Sequence, residues 1–341
     1  MAKSDRASAH GSDPAVIDWL LEESQPAVRY YTLIDLLDRK EADREVRRAR
    51  SQIARVGWAA QLLKRQKPDG YWEPRKPRSF QAWARFLQFP QFGSTIWPAL
   101  VLSDLGLTSS EPRIRKTAEL IFDYKLRFGS PFNFFYEEVC AVGNVARMLT
   151  RFGYGKDRRV QKLFAWMVED QRKDGGWNCA QGQPGTLDCW EALDAFSSLP
   201  KSQRSRAMEA AIERGVEFYL QRNLFREGKR YEPWFRFHYP THYFYDVLVG
   251  LDVVTRLGFA DDRRLRPALK FLEAKRRSDG TWPLDGVHPD VGPELKKDYA
   301  PKDYKSWSLE RPGRPSKWIT LRALRVLRAA GTGKGRFIGG R

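Results

Sequence analysis

The chain has 341 residues, of which 42% are hydrophobic, and it carries a formal net charge of +18 at neutral pH. This composition supports a packed core and argues against a disordered chain, and no run approaches the roughly 18 apolar residues of a membrane span. Three distant cysteines argue against a disulfide framework. The charge favours anionic partners, but no block of five or more like charges occurs, so we expect a solvated basic surface rather than a dedicated nucleic-acid arm.

The chain order predicts a single domain with short ends. Residues 1–13 lack the apolar stretch of a signal peptide, so we expect a cytoplasmic protein. We also expect these residues to form a flexible N-terminal segment. Residues 14–331 form the predicted domain, and 332–341 form a flexible basic tail. Apolar residues recur with helical spacing, without a convincing run of strands. The predicted helices cover residues 14–38, 43–66, 93–106, 112–127, 134–152, 157–172, 186–199, 204–224, 241–258, 262–277 and 316–330.

Three turns with the pattern Asp-Gly-x-Trp divide this series of helices. Their aspartates are Asp69, Asp174 and Asp279, so both intervals are 105 residues. A fainter copy, Glu227-Gly228, lies halfway between the second and third turns. The repeating unit therefore has about 52 residues, which is enough for two helices and two loops.

The two helices of each unit differ in composition. Helices that precede Asp-Gly-x-Trp are charged on one face, as in 204–222, whereas the others end at a glycine such as Gly106, Gly153 or Gly258. Members of the second set are nearly apolar on all sides, as in 247–254, and a helix of that kind must be buried. The sequence therefore predicts an all-α fold, an α/α toroid with an inner and an outer ring of about six helix pairs.

The turns also carry a family resemblance. Gln66–Trp72 and Gln171–Trp177 resemble the QW-type repeat of squalene-hopene and oxidosqualene cyclases, and they are similar to the repeat of protein prenyltransferase β subunits. The resemblance covers most of residues 14–331 and implies one toroid, as in a prenyltransferase β subunit or a lone cyclase domain. It also implies a central cavity for an isoprenoid.

Long loops after the Asp-Gly-x-Trp turns indicate a binding face. Residues 73–92, 229–240 and 283–315 mix aromatic and basic side chains, which suit an apolar chain that bears a phosphate. They also suit stacked single-stranded bases, or the aromatics could simply plug the end of the barrel. The predicted ligand-binding residues are Trp83, Phe86, Thr95, Trp97, Glu137, Trp190, Trp234, Tyr243 and Asp246.

The resemblance implies two kinds of chemistry at the start of the inner helices. Class II terpene cyclases protonate their substrate with the central acid of Asp-x-Asp-Asp, a pattern that this chain lacks; the nearest match is Thr186–Glu191, which contains Asp188. We therefore predict Asp188 as the catalytic acid, with His242 and Glu138 beside it.

Zinc is the cofactor that the prenyltransferase resemblance implies. Those enzymes bind it with Asp-x-Cys and a histidine, and the counterparts here are Asp188, Cys189 and His242. Asp188 and Cys189 are adjacent rather than spaced by one, so structural roles are the preferred interpretation. Asp188 would favour a helix N-terminus, Cys189 would be a small buried residue, and His242 would cap a helix.

Four functions remain open at this point. The first is a terpenoid cyclase-like or prenyltransferase-like protein that binds an isoprenoid or another long apolar ligand, with or without a phosphate. The second is a non-catalytic module of the same fold. The third is zinc-dependent prenyl transfer. The fourth is nucleic-acid binding, which is supported only by the net positive charge and by the aromatic and basic loops. Peripheral contact with an anionic membrane is compatible with the charge.

Overall fold

A computed structural model describes residues 13–76, 95–123, 138–241, 244–287 and 308–331. Within these ranges the chain is helical, and only isolated β-bridges such as Trp177–Thr186 occur. None of the described helices is both long and apolar enough to cross a membrane. The predicted basic tail and all but the last residue of the predicted flexible N-terminus lie outside the described residues.

The described helices follow the predicted order. They are α1 (Pro14–Leu20), α2 (Pro26–Tyr31) with a π-helical continuation at Thr32–Leu36, α3 (Arg44–Gln52), α4 (Gly57–Lys64), α5 (Ile96–Asp104), α6 (Pro112–Ile121), α7 (Val139–Leu149) with a π-helical continuation at Thr150–Tyr154, α8 (Arg158–Glu169), α9 (Glu191–Ser198), α10 (Arg206–Gln221), α11 (Val247–Arg256), α12 (Arg266–Ala274) and α13 (Lys317–Gly331). Single turns of 3₁₀ helix occur at Lys201–Gln203, Glu232–Phe235 and Arg263–Leu265.

Two of the predicted helices are interrupted in the structure, so the prediction that each is continuous was wrong. The predicted helix 14–38 is interrupted after α1, because Pro26 lacks the amide hydrogen that a continuous helix needs and instead begins α2. The predicted helix 43–66 is interrupted before α4, because Gly57 has a φ of +74°. A side chain at Gly57 would also collide with the Ser24 carbonyl oxygen, 2.8 Å from its Cβ.

The inner ring is built from α2, α5, α7, α9, α11 and α13. Along the chain, α5 packs on α7, α7 on α9, α9 on α11, and α11 on α13, which in turn packs on α2 and its π-helical continuation. Nearly every residue of α5, α7, α9 and α11 is buried. The amphipathic helices, among them α6, α8, α10 and α12, form the outer layer. The all-α toroid predicted from the apolar pattern is therefore confirmed.

The two ends of the described chain close the ring. Lys317 at the start of α13 donates to the carbonyl oxygen of Trp19, and Arg325 forms an ion pair with Asp35 after α2. On the outer side, a Cβ at Gly280 would lie 3.0 Å from Val16 of α1. The last helix pair is therefore packed against the first.

Each Asp-Gly-x-Trp turn is hydrogen-bonded to the outer helix before it, and its glycine packs against the next outer helix. The indole Nε1 of Trp72, Trp177 and Trp282 donates to the carbonyl ten residues earlier, at 2.9, 2.8 and 2.8 Å. Gly175 has a φ of +91°, and a Cβ there would lie 2.6 Å from the carbonyl oxygen of Arg214 in the next outer helix. Only glycine therefore fits both the turn and the helix contact.

Candidate functional site

A central cavity of about 2160 Å³ is lined by residues from all six inner segments. Its aromatic part is formed by Tyr31, Trp190, Tyr239 and Trp318. Tyr239 stacks on Trp318 with ring centroids 4.9 Å apart, and Tyr31 meets the edge of the same indole at 6.1 Å. These rings provide an apolar surface within the toroid.

The inner helices and their π-helical continuations add a chain of charged side chains to this cavity, which we call the Arg–Asp belt. Each inner segment contributes at least one member, so the belt runs around the ring. Its members are Asp35, Asp104, Arg147, Arg151, Asp194, Asp252, Arg256, Arg322 and Arg325.

Asp194 of α9 is the centre of the belt. Its carboxylate contacts Arg147 at 2.8 Å, Arg151 at 3.0 Å and Arg256 at 2.5 Å, and its side chain is almost completely buried. Burial opposes ionisation, but the charges of Arg151, Arg256 and Arg147 outweigh it and hold the pKa of Asp194 well below its usual value. Asp194 is therefore ionised at neutral pH.

Asp252 of α11 is held in the same way. Its carboxylate lies 3.3 Å from both Arg256 and Arg322. Burial again opposes ionisation, but the charges of Arg256 and Arg322, followed by that of Arg325, leave the pKa of Asp252 below its usual value. Every belt aspartate contacts at least one arginine, since Asp35 pairs with Arg325 and Asp104 with Arg151.

The cavity lining carries an excess of positive charge. It includes twelve Lys and Arg residues but only eight Asp and Glu residues. Six helix C-termini point towards this end of the ring, and each adds about −0.5 of a charge from its macrodipole, or about −3 in total. The lining as a whole has four more basic than acidic side chains, which exceeds the charge of the helix ends by about one. The belt itself has five arginines and four aspartates, so most of the positive excess comes from basic side chains of the lining outside the belt.

The hydroxyl group of Tyr239 is one of four buried polar atoms of this lining that have no hydrogen-bond partner among the described residues; the others are Thr150 Oγ1, Glu209 Oε1 and Arg325 Nε. Tyr239 is 2% exposed, and its Oη has no hydrogen-bond partner among the described residues. Burial raises the pKa of Tyr239 well above its usual value, so the hydroxyl keeps its proton. A buried hydroxyl without a partner costs about 1–3 kcal/mol, and a ligand that accepts its hydrogen bond would recover this cost.

The opposite end of the inner ring, which we call the N-terminal mouth, carries the predicted acids. Asp188 is exposed, and its Oδ1 accepts a hydrogen bond of 2.7 Å from Trp234 Nε1. Desolvation by the surrounding protein raises the pKa of Asp188, although the hydrogen bond from Trp234 opposes this increase. Burial, and then the charge of Cys179, raise the pKa of Glu138 to about 7. In the described part of the chain, neither carboxyl contacts a basic side chain.

Glu191, in the first turn of α9, is a third carboxyl in this region. It is completely buried, and neither of its oxygens bonds to another described residue. Burial raises its pKa well above the usual value. The tight contact of α7 with α9 explains the burial, since a Cβ at Gly143 would lie 2.7 Å from the Glu191 carbonyl carbon. Burial without a basic partner therefore favours the neutral form of Glu191.

The predicted zinc ligands do not form a metal centre in the described part of the protein. Asp188 is bonded to Trp234, and the Cys189 Sγ lies 3.7 Å from the Cys179 Sγ. Among the described residues, no group of three or more His, Cys, Asp or Glu side chains is arranged to hold a metal ion. His242, the third predicted ligand, lies outside those residues. The zinc site thus stays a prediction that no observed geometry supports.

The other predicted site residues have mostly structural contacts. Thr95 donates to Glu73 at 2.6 Å, and Trp97 is completely buried. Asp246 caps α11 by accepting from Val249 N at 2.8 Å, and it also lies 2.8 Å from Nδ1 of the buried His238. Of the predicted site residues in the described ranges, Trp190 is the one that lines the cavity. Trp83, Phe86, Glu137 and Tyr243 lie outside those ranges.

Sequence reasoning missed the Arg–Asp belt and Tyr239. A signal for the belt is present, because Asp104 with Arg151, and Arg147 with Asp194, are each separated by 47 residues, close to the length of one repeating unit. Opposite charges at that spacing on apolar helices could have indicated ion pairs between neighbouring inner helices. Nothing in the sequence distinguishes Tyr239 from the other aromatics of its loop.

Comparisons with known proteins find similarity only to solved structures. No family model and no curated protein matches the chain. A crystal structure of a protein from Actinoplanes has 18% identity and a TM-score of 0.40, with 92% of this chain and 90% of that one covered. A variant of the type II terpene cyclase MstE from Scytonema, in complex with merosterolic acid A, has 15% identity and a TM-score of 0.44, with 98% and 100% covered. Values this low transfer neither a site nor an activity.

Proposed function

We propose that the protein binds an amphiphilic ligand of the isoprenoid class in the central cavity, with its apolar chain against the aromatic rings and an anionic head group at the Arg–Asp belt. The observation that carries the proposal is the combination of stacked Tyr239 and Trp318 with a positive lining in one cavity. The unpaired Tyr239 hydroxyl would donate to an oxygen of the ligand. The QW-type resemblance of the turns supports an isoprenoid as the apolar part.

The charges of the cavity favour binding over acid-initiated cyclisation. A general acid must hold a proton that it can donate, but Asp194 and Asp252 have lowered pKa values and contact arginines. Burial raises the pKa of Asp35, but this carboxyl is paired with Arg325. The predicted acid, Asp188, is not one of the lining residues of the cavity. The second function, a binding module without turnover, therefore agrees better with the described geometry than the cyclase does.

The direct test compares geranylgeranyl diphosphate with the uncharged geranylgeraniol as probes. Binding is followed by tryptophan fluorescence, since Trp190 and Trp318 line the cavity. Hydrogen bonds to charged groups contribute about 1.5–3 kcal/mol, so we expect the diphosphate to bind about tenfold or more tightly than the alcohol. Equal affinities, or no binding of either probe, would overturn the proposal.

A matched pair of variants locates the ligand. Tyr239→Phe removes the unpaired hydroxyl in the cavity, whereas Tyr245→Phe removes a buried hydroxyl that bonds to the Leu224 carbonyl oxygen at 2.8 Å. We expect weaker diphosphate binding in the first variant and unchanged binding in the second. A single-stranded oligonucleotide serves as competitor, and salt-sensitive displacement of the probe by it would favour the nucleic-acid hypothesis.

Turnover and metal content address the enzymatic alternatives. A cyclase of the predicted kind would convert a polyprene without added metal, and Asp188→Asn would abolish the conversion while leaving probe binding intact. A zinc prenyltransferase would retain one zinc per chain after purification. We expect neither turnover nor bound zinc.

A further inference from the structure

All three cysteines of the chain meet at the N-terminal mouth. Cys140 lies in the first turn of α7, Cys179 follows the second Asp-Gly-x-Trp turn, and Cys189 immediately precedes Trp190 at the start of α9. The Sγ of Cys179 is 2.8 Å from that of Cys140 and 3.7 Å from that of Cys189. We call these three side chains the thiol cluster.

The backbone around the cluster holds Cys179 in place. Residues 177–186 form a closed loop, because Thr186 N donates to the Trp177 carbonyl oxygen at 2.9 Å and the Asn178 side chain donates to the Pro184 carbonyl oxygen at 2.7 Å. Arg172 donates to the carbonyl oxygen of Asn178 at 2.9 Å. The close approach of the thiols therefore results from an ordered loop on the edge of two packed helices.

The thiols are not equivalent in exposure or acidity. Cys179 and Cys140 are half-buried, while Cys189 is buried. Contact with the Cys140 and Cys189 thiols lowers the pKa of Cys179, whereas the pKa of each of the other two is raised by its contact with Cys179 and by burial. The Cys179 sulfur lies beside both other sulfurs, which is the arrangement of a nucleophile and its resolving partners.

A metal centre is a poor explanation for this cluster. Two thiolates that bind one zinc ion at about 2.3 Å in tetrahedral geometry lie roughly 3.8 Å apart. The sulfurs of Cys140 and Cys179 are closer than that, at 2.8 Å. A covalent bond requires about 2.05 Å, so a shift of less than 1 Å would join them.

We propose that the thiol cluster is a thiol–disulfide exchange site, in which Cys179 reacts with a small-molecule disulfide and Cys140 resolves the product. The Cys179 thiolate attacks one sulfur of the small disulfide RSSR, and a mixed disulfide forms as RS⁻ leaves. Cys140 then attacks the Cys179 Sγ, the Cys140–Cys179 bond forms, and a second RS⁻ leaves. Both leaving thiolates take up a proton, so two cysteine thiols and RSSR yield one protein disulfide and two RSH.

Glu138 is placed to assist the second step. Its Oε2 lies 3.9 Å from the Cys140 Sγ, and its pKa of about 7 allows it to accept the thiol proton of Cys140 and pass it to solvent. The resulting bond would tie the loop of residues 177–186, and with it the approach to Asp188, to the first turn of α7.

The test uses the intact, reduced protein with oxidised glutathione as the probe. After the reaction is quenched by alkylation, we expect the intact mass, corrected for alkylation, to lack two hydrogens, with one free thiol instead of three. Peptide mapping should find the Cys140–Cys179 link. A persistent glutathione adduct, a link between Cys179 and Cys189 instead, or three free thiols would each overturn the proposal.

Cysteine variants test which thiol reacts with glutathione first and which thiol resolves the mixed disulfide. Cys189→Ser should still form the Cys140–Cys179 disulfide, because its thiol is not consumed. The double variant Cys140→Ser with Cys189→Ser has no resolving thiol and should accumulate one glutathione on Cys179. Far-UV circular dichroism confirms that each variant is folded. If Cys179 in the wild-type protein reacts with oxidised glutathione no faster than in an unstructured peptide that contains Cys179, the cluster does not activate this thiol.

Discussion

Two carboxyl groups one turn apart on α9 show how differently the two ends of the ring treat acidic side chains. Glu191 and Asp194 are both completely buried, yet the pKa of Glu191 is raised well above its usual value and that of Asp194 is lowered well below it. Burial opposes ionisation in both cases. Three arginines contact Asp194, whereas Glu191 contacts no basic side chain among the described residues. Neighbouring charges, not depth, therefore decide which end is ionic.

The same contrast extends to most of both regions. At the C-terminal end, each aspartate of the Arg–Asp belt contacts an arginine, although burial still raises the pKa of Asp35. At the N-terminal mouth, Glu138 and Asp188 have raised pKa values and lie beside thiols and an indole. One end is suited to holding an anion, and the other to proton and thiol chemistry.

The largest expected effect separates these two carboxyls directly. Asp194→Asn removes the buried counter-charge shared by Arg147, which is buried, and by Arg151 and Arg256, which are partly exposed, so we expect the free energy of unfolding to fall by about 3–5 kcal/mol. Glu191→Gln replaces a neutral acid by a neutral amide and should change it by less than about 1 kcal/mol. Urea unfolding measures both. Similar losses in the two variants would show that Glu191 is charged in the folded protein and would remove the contrast.

The exposed pair of Glu217 and Arg264 provides the surface control for that comparison. Their side chains lie 2.7 Å apart but are about half exposed to water. Solvent screening limits such a pair to about 1 kcal/mol or less, so Glu217→Gln should have a small effect. The difference from Asp194→Asn isolates the contribution of burial.

An intermediate effect on the free energy of unfolding is expected when a buried tyrosine hydroxyl is removed from either region. Tyr245→Phe breaks the bond to the Leu224 carbonyl oxygen and should lower the free energy of unfolding by about 1–2 kcal/mol. Tyr239→Phe breaks no hydrogen bond with a described residue and should leave the stability of the ligand-free protein unchanged or slightly higher. Thermal unfolding without ligand measures both variants. A marked loss for Tyr239→Phe would mean that its hydroxyl has a partner.

The smallest expected effect is the contribution of Glu138 to the pH dependence of the free energy of unfolding between pH 5 and 8. The pKa of Glu138 rises from 4.5 to about 7 on folding, so its contribution is complete below pH 4.5 and is lost as the pH rises through 7. Because Glu138 is partly exposed, screening should keep this loss below about 1 kcal/mol. Glu138→Gln should flatten stability between pH 5 and 8. An unchanged profile would contradict the raised pKa.

Asp194 predicts the opposite dependence in acid. Its pKa is lowered by folding, so its contribution is complete above the unfolded pKa of about 3.9 and disappears as the pH falls below that value. Wild-type protein should therefore lose stability steeply in strong acid, and Asp194→Asn should lose less over the same range. On these two carboxyls alone, stability is greatest between about pH 4 and 4.5, and it falls on either side.

The repeated pattern by itself determined the helices and their arrangement in two rings. Helices that are apolar on every side could only be buried, and the 105-residue interval of the Asp-Gly-x-Trp turns set the repeating unit. The breaks at Pro26 and Gly57 were visible as residue types, but apolar spacing alone does not show that the chain changes direction there. Sequence also led to Asp188, Cys189 and Glu138 as neighbours at one mouth of the ring, although it could not give their roles.

The tertiary structure alone decided the pairings. Cys140 and Cys179 are 39 residues apart, and they meet only because a closed loop returns to the first turn of α7. Likewise, the ionisation of Asp194 depends on arginines from α7 and α11, and the neutrality of Glu191 depends on the tight contact at Gly143. Local spacing encodes which face of a helix is buried, whereas the charge of a buried group depends on neighbours that only the packed ring supplies.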